Sequence, residues 1–354
     1  MQSAPTTQSD SRHLWADFVR NIGILLVILG HVSGMVLQRG THIPFYDWLV
    51  GDIFNVIARA CVPLLFMVSG ALLLPKQESV GDFYRKRFQR VIFPFLFWSV
   101  LYLLWNRTGY QGYTLFNAAK TILLNILIEP AEYHLWFMYE LFGVYMITPL
   151  FRKAVDNQRE TVLWYFVAIW FIFGPLLRMF YSMVPFDILF DLGYLTGYIG
   201  YFVLGYLLVR IPLKKWMVWL SAFVYLASAV FTGYMTAYYF INRPPMTEFY
   251  QYLLGINIVF LSVSAYILLK AAGDAIFSTP RPRLAKIAVG LTSASFGMYL
   301  VHVFVLNFLR AKDFGPLDGP AILMIPLTTI IVFAISWIII VLLQKIPYIR
   351  TLVA

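Results

Sequence analysis

The chain has 354 residues, of which 60% are hydrophobic and only 12% charged, and its mean hydropathy is +0.74. These values exclude a water-soluble globule and describe a polytopic, all-α integral membrane protein. The net charge of +10 reads as loop topology and not as nucleic-acid binding, because Lys and Arg gather in cytoplasmic loops of such chains. A lone Cys61 excludes an intramolecular disulfide and a multi-cysteine metal site, and no metal is expected.

Residues 1–13 are polar and read as a cytoplasmic N-terminal tail. The apolar run that follows is too long for a signal-peptide core and lacks a small-residue cleavage pattern, so it is expected to stay as an uncleaved first span near 15–37. It carries Arg20 and His31, and an ionisable residue at membrane depth points to function. Eleven residues at about 100° each put the two on one helix face, about 16 Å apart along the axis. Gly23, Val27 and Gly34 line that stripe. A cation and an imidazole at opposite ends of a small-residue slot can hold an elongated anion; a snorkelling Arg and a packed His are the simpler alternative.

A second span near 52–74 contains RACVPLLFMVSG, in which Pro63, Ser69 and Gly70 fit a kinked membrane helix and Arg59 does not. A short third span, near 91–105, holds Pro94, and the interrupted apolar stretch near 115–130 is expected as an interfacial or re-entrant helix. The fourth span, near 134–151, opens on EYHLWFMYE. There an interfacial aromatic belt accounts for Tyr133 and Trp136, but not for His134 or Glu140. Six further spans are expected near 162–181, 191–209, 216–240, 250–270, 288–309 and 321–344, making about ten in all. The ninth includes SASFGMYLVH, a small-residue stretch that lets helices approach and then an imidazole, His302, which a satisfied structural histidine also explains.

Loop charge tests this count. With the N-terminus inside, 18 of the 27 Lys and Arg residues fall in inner segments and 7 in outer ones, with Arg20 and Arg59 inside spans. Both termini are therefore expected in the cytoplasm. Residues 14–345 form one membrane domain, and 346–354 a short cytoplasmic tail. By the helical rise, His31, Arg59, Glu140 and His302 come out level, each about 10 Å below the outer surface, with Arg20 near the inner one. An Arg59–Glu140 pair that fixes helix register explains two of these charges; a polar cavity explains all of them.

At this point the chain resembles the membrane-bound acyltransferase-3 family, whose members O-acylate bacterial surface carbohydrates. The similar elements are Asp17, Arg20 and His31 in the first helix, R-x-x-x-P-L-x-F-M-x-S-G at Arg59 to Gly70, YHLWF at Tyr133 to Phe137, and S-F-G-x-Y-x-x-H at Ser295 to His302. Four elements in order are specific, and within the family the likeness is to the branch with the enterobacterial common antigen O-acetyltransferase. Many members carry an added esterase-like domain, for which these 354 residues leave no room.

The resemblance implies a bacterial inner-membrane enzyme with acyl-CoA, first of all acetyl-CoA, as donor substrate and no permanently bound cofactor. A sugar or glycolipid hydroxyl is the acceptor, and membrane lipids surround the protein. On that reading His31, Arg59 and Glu140 are the catalytic candidates, and Arg20, Asp17 and Ser69 the donor-binding ones, with Asp17 also placed to pair Arg20 at i, i+3. His134, Trp136, Tyr139, Tyr299 and His302 would bind or support substrate. The imidazole can act as general base or carry the acyl group. A transporter of polysaccharide or lipid-linked glycan is the alternative, since intramembrane charges suit it too.

Overall fold

The computed structural model describes residues 13–105, 124, 126–156, 159–177, 179, 197–242 and 255–353, and among these it is helical without strands. The helices are α1 (Leu14–Leu37), α2 (Phe45–Ala58), α3 (Cys61–Leu73), α4 (Val80–Arg87), α5 (Phe93–Trp105), α6 (Trp136–Asp156), α7 (Glu160–Phe171), α8 (Ile199–Arg210), α9 (Lys215–Asn242), α10 (Ile256–Phe277), α11 (Pro282–Arg310), α12 (Ala321–Leu343) and α13 (Arg350–Val353). Among the described residues seven segments are long and apolar enough to cross a membrane: Leu14–Leu37, Phe45–Leu73, Val80–Trp105, Lys215–Asn242, Ile256–Phe277, Pro282–Arg310 and Ala321–Leu343. The other three expected spans overlap α6, α7 and α8, which are shorter or less apolar, and the parts of them at 178, 180–181 and 191–196 lie outside the described residues. Most of the segment expected as a helix near 115–130 lies outside the described residues, though Leu124 and 126–128 are helical.

The outer surface is apolar and the interior partly polar, the reverse of a soluble protein. Trp219, Phe223 and Val230 on α9 and Ile330 on α12 face outward, while Asp52, Asn55, His134 and His302 are buried. Small residues set the closest helix approach. At Gly70 on α3 a Cβ would stand 1.7 Å from the Phe202 carbonyl oxygen on α8, and at Gly205 on α8 it would stand 2.2 Å from that of Met67.

Helix α1 is the hub, packing against α2, α3, α10, α11 and α12. Polar bonds fix its rotation. Asn55 Nδ2 on α2 donates to Gly30 O and Ser33 Oγ, both at 3.1 Å. Near the other end Asn21 Nδ2 donates to Ala288 O at 2.9 Å, and Thr292 Oγ1 donates to Asn21 Oδ1 at 3.0 Å.

Two prolines shape the neighbouring helices. Pro63 removes an N–H and its ring crowds the carbonyl of residue 59, so the helix breaks there and Arg59 becomes the C-cap of α2 instead of a mid-helix residue. The α2–α3 unit starts at Phe45, seven residues before the expected start, so Arg59 lies deeper than expected. Pro94 acts in the same way on Arg90. The chain from α4 to α5 passes through a π turn at Phe88–Ile92 and is longer than the short third span expected. The C-terminal stretch, expected as a tail, folds back as α13 against α5 and the π turn.

One ion cluster locks the ends of α3, α4 and α6. Glu78 pairs with Lys86 at 2.8 Å and with Arg87 and Arg152 at 3.0 Å each, and Arg152 Nε donates to Leu73 O at 3.0 Å. Burial works against ionisation of Glu78, yet the Lys86 hydrogen bond and the charges of Arg87 and Arg152 hold its carboxyl below the ordinary glutamate value. A depressed folded pKa gives stability that is complete above the unfolded value of about 4.3 and is lost as pH falls through the folded one. Glu78→Gln is therefore expected to lower stability by about 2 kcal/mol at neutral pH, less than a fully buried pair because Lys86 is exposed. Thermal melts in detergent should show the gap to wild type closing below about pH 4.

Candidate active site

A cavity of about 630 Å³ opens between α1, the α2–α3 break, the turn before α6, and α11, with His31 and Arg59 in its wall. Three imidazoles meet at it. The His31 ring stacks on His302 with centroids 5.2 Å apart and an interplanar angle of 29°, and meets His134 edge-on at 6.4 Å. His134 and His302 are 5.0 Å apart, and the Tyr133 ring lies 5.1 Å from His31.

His302 Nδ1 lies 2.6 Å from the Tyr299 carbonyl oxygen. A carbonyl only accepts, so Nδ1 carries the proton and neutral His302 keeps its lone pair on Nε2, which is buried without a hydrogen-bond partner. The Tyr299 hydroxyl donates to the His134 carbonyl and fixes the turn that presents His134. Among the described residues no group of three or more His, Cys, Asp or Glu is arranged to hold a metal ion.

A second cavity, of about 980 Å³, lies at the other end of the same face of α1. Arg20, Arg90 of the π turn and Arg350 of α13 stand in its wall with Ser69 and Thr292, and among the described residues no Asp or Glu lines it. It suits an anion. Leu65, Phe137 and Tyr299 belong to the walls of both cavities.

A model of the family described as an acyltransferase domain, acyltransferase-3, matches residues 13–341. The chain belongs to the acyltransferase-3 family. Nodulation protein NolL of Sinorhizobium fredii (strain NBRC 101917 / NGR234) is 27% identical over 149 residues, which are 40% of this chain and 37% of NolL. The matched stretch thus covers little more than a third of that relative's length. No solved structure matches the chain. With its apolar helices, this member of the acyltransferase-3 family is a multi-pass membrane protein.

The structure brings together most of the residues singled out in the sequence. His31, Arg59, His134, Trp136 and Tyr299 line the imidazole cavity, with His302 stacked behind His31. Arg20 and Ser69 line the arginine cavity, where Ser69 also bonds back to Leu65 O at 2.7 Å.

Three residues stand apart. Glu140 lines neither cavity; its Oε2 lies toward Gly197 at the start of α8, 3.3 Å from where a Cβ would be, so the structure does not form the expected Arg59–Glu140 pair. A buried carboxylate, Asp52, stands two turns before Arg59 on α2, with neither oxygen hydrogen-bonded among the described residues. Tyr139 donates to Ile126 O and packs edge-on against Phe95. Asp17 is buried on α1 and lines neither cavity, its carbonyl accepting from Thr292 Oγ1 at 3.3 Å.

Sequence reasoning passed over Asp52, Arg90 and Arg350. Asp52 carried the same signal as Arg20, an ionisable residue in an apolar run, but starting the span at residue 52 made it look like a boundary. Arg90 and Arg350 read as loop and tail charges, and only the π turn and α13 bring them to the cavity.

Proposed function

We propose that this acyltransferase is an O-acyltransferase of the bacterial inner membrane, using acetyl-CoA as donor and a hydroxyl of a surface polysaccharide or glycolipid sugar as acceptor. The observation that carries the reading is that one face of α1 serves two adjoining cavities, with Arg20 in the anion-suited one and His31 in the imidazole-lined one. The rise between them, about 16 Å, suits an extended pantetheine arm whose phosphates stay with the arginines on the cytoplasmic side.

His31 takes the proton of the acceptor hydroxyl as its oxygen attacks the thioester carbonyl. The C–O bond forms, the C–S bond breaks, and the proton passes from His31 to the departing thiolate, so none is consumed. Arg59 stabilises the oxyanion in a water-poor cavity. His302 stacks behind His31 and holds the plane of its ring.

Purified protein in lipid discs, given labelled acetyl-CoA and the native membrane glycan fraction, should release CoA thiol and acylate the glycan. The mass increment of the glycan identifies the acyl group, and label left on the protein would mark an acyl-imidazole. An exporter would give neither thiol nor label. Arg20→Ala is expected to weaken CoA binding by about tenfold or more, the size of one lost charge-assisted phosphate contact. Calorimetric titration with CoA checks this, and unchanged affinity removes Arg20 from donor binding.

A further inference from the structure

The two cavities share Leu65 of α3, Phe137 of α6 and Tyr299 of α11, one residue from each of three helices. Phe137 and Tyr299 are held firmly: both are buried, their rings lie 5.2 Å apart at 63°, and Phe137 also packs on Phe66 at 5.1 Å. The Tyr299 hydroxyl is engaged with the His134 carbonyl, so it adds no free polar group at this level. Leu65 is less enclosed, and it packs directly over Gly23 of α1, where a Cβ would stand 2.9 Å from Leu65 Cδ2.

We infer that Leu65, Phe137 and Tyr299 form a neck between the cavities that sorts donors by their acyl group, admitting short uncharged acyl chains and turning back longer or carboxylate-bearing ones. The inference rests on the acyl-CoA reading above. The acyl group is the leading end of the donor arm, so whatever it carries must pass the neck before it reaches His31. An aliphatic side chain and two aromatic rings offer an uncharged chain ordinary apolar contact. To a carboxylate they offer desolvation with no compensating hydrogen bond. Chain length is limited by Leu65, the least enclosed side chain of the three.

The test uses membrane vesicles carrying the full chain and its native acceptor, with acetyl-, butyryl- and succinyl-CoA labelled in the acyl group. Wild type should transfer acetyl at least about tenfold faster than either of the others, the scale on which pocket shape discriminates a methylene or two. Leu65→Ala should raise the butyryl-to-acetyl ratio by about tenfold. Leu65→Trp should cut acetyl transfer by about tenfold or more, with a monodisperse wild-type profile on size exclusion showing that the variant is folded. Gly23→Ala, which presses on Leu65 from behind, should act in the direction of Leu65→Trp. The neck is overturned if succinyl is transferred as well as acetyl, or if the Leu65 variants keep wild-type ratios and rates. If wild type transfers none of the three donors, the acyl-CoA reading fails and takes the neck with it.

Discussion

Replacing His31 by alanine should lower acyl transfer by at least about a thousandfold, the range expected for loss of a general base positioned on the reacting hydroxyl. The expectation rests on its position more than on its being a histidine. Of the three clustered imidazoles, His302 is fully buried behind the cavity wall and His134 lines the wall at only 1% exposure, whereas His31 stands in the wall and is only partly buried. His302 has its Nδ1 committed to the Tyr299 carbonyl. His31 has ring contacts but no such backbone bond, so its nitrogens can serve a substrate. The variant should stay folded and keep its affinity for CoA, because α1 is held by Asn55, Asn21 and Thr292 and because Arg20 lies in the other cavity. A single-turnover assay with labelled acetyl-CoA, run beside a CoA titration, separates the two roles. Full transfer by His31→Ala would sink the catalytic assignment, and lost transfer together with lost CoA binding would mark His31 as structural.

Gly70→Ala should prevent stable folding, with a cost above about 3 kcal/mol. One methyl group there would sit 1.7 Å from the Phe202 carbonyl oxygen and 2.6 Å from its carbon. These are backbone atoms of a packed helix, so no rotamer change relieves the contact, and α3 and α8 must separate. Gly205→Ala meets the Met67 backbone in the same way at 2.2 to 2.5 Å. Gly143→Ala is the control: no atom lies within 4 Å of its would-be Cβ, and in the interior of α6 it should be neutral or slightly stabilising. Thermal melting in detergent and the monodisperse fraction on size exclusion would rank the three. A Gly70→Ala protein that melts with wild type would refute the close approach of α3 and α8.

The bearing of the sequence on these outcomes varies by residue. Arg20 and His31 were visible because charge is expensive in an apolar helix and a spacing of eleven returns to the same face. The sequence also carried enough at Arg59 to mark it as odd, but its place at a helix break follows from Pro63, four residues on, through the proline ring and its missing N–H. Glu140 misled for a physical reason. Its axial depth is set by the sequence, but which neighbour it faces depends on how α6 rotates against α8, and that rotation turns it toward Gly197. Depth alone fixes one coordinate of three.

The sequence by itself determined the solvent, the family and the stripe on α1, because hydropathy, loop charge and helical periodicity are local properties that need no partner. Only the tertiary structure decided that the stripe is divided between two cavities, that Leu65, Phe137 and Tyr299 join them, and that Arg90 and Arg350 stand with Arg20. Those residues come from helices far apart in the chain. What unites them is packing: small residues such as Gly70 let backbones close to contact, and the prolines place their breaks where side chains must turn inward.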